Sequence, residues 1–61
     1  MKWGWRAENP DTWRFDDEWS VVRDWADNRW FVVRGGKWML ENHATAQAAI
    51  AEAERLMDGA K

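Results

Sequence analysis

Gly35 and Gly36 stand between a run rich in Trp, Val and Phe (residues 29–34) and a second run carrying Trp38, Met39 and Leu40, and this pair constrains the chain more than any other feature. Two adjacent glycines tolerate positive φ at both central positions of a tight turn, which is the backbone of a primed two-residue hairpin. Residues 29–34 and 37–41 therefore read as antiparallel strands. With a two-residue loop, Val33 faces Trp38 and Phe31 faces Leu40, so these four share one side of the sheet. The other side carries Trp30, Val32, Arg34, Lys37, Met39 and Glu41, a mixed set. The wholly apolar side is the expected core.

Residues 19–25 read as a further strand, joined to the hairpin by a loop around Ala26-Asp27-Asn28. The loop length decides the face, because a one-residue slip exchanges every side chain. A two-residue loop places Ser20, Val22 and Asp24 inward. A three-residue loop, with Asn28 left-handed, places Trp19, Val21 and Trp25 inward, with Arg23 near an edge. The more apolar set favours the second arrangement. Thr12 to Phe15 has the composition of a short additional strand, and Asp16-Asp17-Glu18 then reads as a solvated turn. Residues 1–11 form an N-terminal arm set off by Asn9-Pro10-Asp11. Its Trp3 and Trp5 either fold back onto the body or remain available to a partner.

After Asn42-His43-Ala44, Thr45 has the chemistry of a helix N-cap. The alanine-rich stretch from Ala46 to about Met57 follows helical spacing, with Ala46, Ala49, Ile50, Ala53, Leu56 and Met57 on one stripe. Gly59 is the expected residue just past the helix end. The expected fold is thus α+β, a three-stranded antiparallel meander packed against one C-terminal helix, in a single domain over residues 12–61.

A chain of 61 residues has room for one core, and it has no cysteine to staple it. Seven tryptophans and two phenylalanines supply the missing bulk. Each buried Trp removes roughly 150–250 Å² from water. No apolar run reaches membrane-spanning length and residues 1–10 show no signal-peptide core, so a cytoplasmic location is expected. No nucleophile–base arrangement and no metal-ligand spacing can be built around His43, the single histidine. Gly35-Gly36 lacks the helix and Lys-Ser/Thr of a phosphate loop. No enzyme, cofactor or metal is expected.

From Trp30 to Met57 the chain runs strand, short turn, Gly36-Lys37-Trp38, strand, then Thr45-Ala46 opening an alanine-rich helix. This order resembles three-strand-plus-helix DNA-binding domains of the plant ethylene-response-factor type and of phage integrase N-terminal domains. The resemblance implies a sheet whose Arg and Trp side chains enter the DNA major groove, here Arg23, Arg34, Lys37 and Trp30. In length and style the chain also looks like small phage and prophage accessory proteins.

Charge points to a different partner. The net charge is −2, and residues 12–41 carry Arg14, Arg23, Arg29, Arg34 and Lys37 against Asp16, Asp17, Glu18, Asp24, Asp27 and Glu41. A phosphate-backbone reader needs a positive surplus. Trp, Met and Arg together suit a protein interface. The expected function is therefore a non-enzymatic protein-binding module, with Trp30, Val32, Arg34, Lys37 and Met39 as the partner-binding residues. Nucleic-acid binding and self-association through the same sheet face are the alternatives.

Overall fold

The computed structural model describes residues 3–59. Five strands form one antiparallel sheet, β1 (Arg6–Asn9), β2 (Thr12–Arg14), β3 (Trp19–Asp24), β4 (Arg29–Arg34) and β5 (Lys37–His43), and the helix α1 (Ala46–Gly59) follows. The strands lie in chain order, so each pairs only with its sequence neighbours. The α+β class stands, but the sheet has five strands instead of three. The extra ones are β2 and the supposed arm, whose Arg-Ala-Glu-Asn stretch has neither β-branched residues nor alternation to announce a strand. Its ladder comes from its neighbour: Arg6 faces Arg14 and Ala7 faces Trp13. The Asn9 side chain accepts the Asp11 backbone N–H at 2.8 Å and closes the turn between them.

The Gly35-Gly36 turn forms as expected. Both glycines have positive φ, 59° and 80°, and Val33 faces Trp38. Asn28 is left-handed as well, with φ of 56°. The acidic triad is a turn held by Asp16, whose Oδ1 accepts the backbone N–H groups of Glu18 and Trp19.

The two sides of β4 and β5 are reversed relative to expectation. Asp24 faces Arg29, so the β3–β4 loop has four residues, not three, and Val21 faces Val32 instead of Val33. That single added residue turns Val32 and Trp30 toward the helix. The core is Trp5, Trp19, Val21, Val32, Ala49, Ile50 and Ala53, with Trp13, Phe15, Trp30, Met39, Leu56 and Met57 packed around it. Val21 and Val32 are fully buried, whereas Leu40 is 97% exposed. Leu40 also fails to face Phe31. Two steps along β4 from Val33 to Phe31 are matched by four along β5 from Trp38 to Asn42, so β5 carries a bulge and Phe31 faces Asn42.

α1 lies over β3, β4 and β5. Thr45 caps it, its Oγ1 accepting the Ala48 N–H at 3.1 Å. Ala49, Ile50 and Ala53 are the buried residues of the expected stripe. Alanine at these places lets the helix approach a sheet whose own side chains are large. Gly59 belongs to the helix and is not left-handed, so it does not act as a terminating residue. On the β1 side the core is closed by Trp5. Its indole Nε1–H donates to Glu54 Oε2 at 3.0 Å, and its ring lies 5.3 Å from that of Phe15. Of the two tryptophans near the N-terminus, Trp5 is core and Trp3 is 97% exposed.

Candidate functional site

Strand alternation gives the sheet a second face, turned away from α1. Register places Thr12, Val22, Phe31 and Asn42 in one row across it, and Arg14, Ser20, Val33 and Trp38 in the next. Among the described residues no element lies over this face. Its centre is aromatic: the Phe31 and Trp38 rings are 5.5 Å apart, and Trp38 is 49% exposed. Val33 and Ser20 are nonetheless buried. Bulky residues in the neighbouring positions shield them, Trp38 facing Val33 across the turn and Arg14 facing Ser20.

The rim of this face is polar and internally engaged. Arg14 pairs with Glu8, and the Arg29 Nε–H donates to Asn42 Oδ1 at 2.9 Å. Asp24 stands opposite Arg29 in the register. Both signs of charge are present: Arg14 and Arg29 have local acceptors, and Arg6 stands opposite Arg14.

The residues expected to bind a partner sit elsewhere. Val32 is in the core, and Trp30 and Met39 are half-buried against it. Arg34 is exposed on the helix side, where its guanidinium lies 4.9 Å from the Trp19 ring centroid and Nε–H donates to Glu18 Oε2. Lys37 faces Arg34 beside the glycine turn. Arg23, carried over from the DNA-binding resemblance, is held by Asp11 Oδ1 at 2.7 Å and Asn28 Oδ1 at 2.6 Å. Arg23 and Arg34 therefore do not join Trp38 on the open face.

A second concavity lies between β5 and α1, about 380 Å³ in volume. Val32, Met39, Leu40 and Leu56 supply its apolar lining, and Glu41, His43, Glu52 and Arg55 its polar one. Arg55 donates to Glu52 from both Nε and Nη2. That hydrogen bond, more than the charge of Arg55 and His43, holds the Glu52 carboxyl below its ordinary range. The Nε2 of His43 is buried without a hydrogen-bond partner. Among the described residues no group of three or more His, Cys, Asp or Glu is placed to hold a metal ion, and no helix is long and apolar enough to cross a membrane.

No protein-family model, no curated protein and no solved structure matches this chain.

Proposed function

We propose that the chain is a small non-catalytic protein-binding module, of the kind found among phage accessory proteins, and that it works through the open sheet face. The observation that carries this reading is Trp38, half-exposed and packed against Phe31 on a face that no other element covers among the described residues. Trp is the residue type most often found as an interface anchor, and it is effective when a polar surround excludes water from it. Arg14–Glu8 and Arg29–Asn42 are such a surround.

The charge selects the occupant. Polyanion binding draws on cations that are free to replace counterions. Here Arg14 and Arg29 already have partners, with Glu8 and Asp24 beside them, which leaves Arg6 opposite Arg14 as a single cation against the several a polyanion needs. The matching surface is a protein with an apolar ridge bordered by both signs of charge. Addition of a strand at the sheet edges is disfavoured, because β1 and β5 both carry register shifts that interrupt the ladder.

A photo-crosslinking amino acid placed at position 38 in producing cells should give a discrete heavier adduct with one protein. The same group at Gln47, exposed on the helix, should not. Adducts of equal strength from both positions would refute the reading. So would an adduct at twice the chain mass, which signals self-association, or tight binding of random duplex DNA that weakens steeply with salt.

A further inference from the structure

β1 is the least anchored strand of the sheet. All four of its residues are exposed, and its ladder with β2 has three paired positions broken by a register shift between Ala7 and Asn9. Arg, Ala, Glu and Asn bring little strand preference of their own. What ties the strand down stands just before it. Trp5 is buried beside Phe15 and donates to Glu54 on α1. Gly4, with φ of 111°, turns the chain into this seat, where a Cβ would lie 3.3 Å from the Phe15 ring.

The boundary on the other side of β1 is sharp. Asp11 belongs to the body: its carbonyl accepts the Arg23 N–H at 2.8 Å and its carboxylate the Arg23 Nε–H at 2.7 Å. From Thr12 to Arg14, β2 is paired with β3 at every position. Between Asn9 and Asp11 stands Pro10, which has no N–H to give to a ladder. Residues 3–9 are thus held by one indole and a short ladder, against the conformational freedom of seven residues. Segments with few buried contacts and exposed backbone hydrogen bonds open at lower free energy than a whole domain.

We infer that residues 3–9 form a strap that opens as a unit about Pro10 while β2–β5 and α1 stay folded. Opening lifts Trp5 from its seat and bares Phe15 and Trp13 on the helix side. It also takes Glu8 away from Arg14, which stands on the open face. The strap is therefore a latch on that face. Closed, it neutralises Arg14, and open, it leaves a free guanidinium beside Ser20. The opening follows from how residues 3–9 are held; its use in partner binding rests on the open-face reading.

Native-state hydrogen exchange of the intact chain in low urea tests the strap. The Trp5 indole N–H and the ladder amides of β1 should share one protection factor, at least about tenfold below that of the most protected amides of β3 and β4. They should also depend less on urea, because less surface is exposed when the strap opens. Arg14→Gln should lower the protection of the strap and of β3 and β4 alike by about threefold, the scale of an exposed ion pair, because both openings break its pair with Glu8. Arg55→Gln should lower β3 and β4 alone, because the strap opens without disturbing the pair on α1. Strap protection equal to that of β3 and β4, with the same urea dependence, would show that residues 3–9 open only with the whole domain. Protection that declines along the chain toward Trp5 would show fraying instead of a unit. Either result overturns the proposal, as does a strap that responds to Arg55→Gln. Strap protection unmoved by Arg14→Gln would overturn the latch. None of these readings depends on crosslinking from position 38, so the strap and the open face can fail separately.

Discussion

Trp5→Phe tests whether the N-terminal stretch is part of the fold or an accessory to it. The substitution keeps a ring beside Phe15 but removes the indole N–H that donates to Glu54 across 49 residues of sequence. A hydrogen bond to a charged acceptor contributes on the order of 1.5–3 kcal/mol when buried, and this one is only part-buried, so about 1 kcal/mol is appropriate. The smaller ring gives up roughly 40 Å² of buried apolar surface, about 1 kcal/mol at ~25 cal/mol per Å². The sum is about 2 kcal/mol. For a domain of this size that lowers Tm by roughly 8–16 °C, since each kcal/mol shifts it by about 4–8 °C. Urea unfolding followed by far-UV circular dichroism measures the loss. A double-mutant cycle with Glu54→Ala isolates the bond, with an expected coupling of about 1 kcal/mol. If Trp5→Phe unfolds within about 0.3 kcal/mol of the parent, or costs the same with Glu54 absent, the indole does not tie the first strand to the helix.

Other substitutions probe other layers. Ala53→Leu should destabilise by about 1–3 kcal/mol in urea unfolding, because Ala53 is fully buried and added methylenes must displace the sheet. Gly35→Val should cost about 1–3 kcal/mol and Gly35→Asn clearly less. A Cβ there meets nothing within 4 Å, so the cost is in the backbone, and Asn tolerates φ of 59° where Val does not. The Glu52 carboxyl should titrate below its ordinary range in an NMR pH series, and Arg55→Gln should return it. Because the folded-state value is lowered, the stabilisation is present at neutral pH and is lost as pH falls through that value. Trp38→Ser should cost about 1–2 kcal/mol in urea unfolding, because it breaks the ring contact with Phe31 and bares Val33, and should abolish the adduct formed from a crosslinker at Phe31 in protein that is still folded.

Most local structure is legible in the residues. The Gly-Gly turn, the Thr45 cap, the Asp16 turn and the alanine stripe each rest on chemistry within four or five residues. Trp19 and Val21 also read correctly as inward, whereas Trp25, expected beside them, lies in the four-residue loop and is 81% exposed. The reversal of β4 and β5 arose where local chemistry is silent. Both sides of β4 offer large apolar residues, Trp30 and Val32 on one and Phe31 and Val33 on the other, so hydrophobicity alone does not orient the strand. Orientation depends on the loop after Asp24, and Trp25-Ala26-Asp27-Asn28 accommodates more than one length. The β5 bulge is equally hidden, since Met39-Leu40-Glu41 continues a strand pattern without a glycine to mark the irregularity. Trp38 thus reads as core from sequence alone, because the residues it faces are apolar. Arg14, Arg29 and Asn42 mark the open face, but they do so only through the strand register, which no local residue pattern specifies.

The strict chain order of the sheet has a kinetic consequence. Each hairpin can close over a loop of a few residues, and closures of that kind take microseconds, with little entropy lost to long-range search. Only the docking of α1, on β3 and on Trp5, requires distant parts of the chain to find each other, and every hairpin already formed shortens the flexible path between them. The chain should therefore fold faster than a β-rich protein with crossed connections, because most of its contacts are local in sequence. Its slowest step should be the docking of α1 with Trp5, so substitutions at their contact should alter late events while changes in the Gly35-Gly36 turn alter early ones.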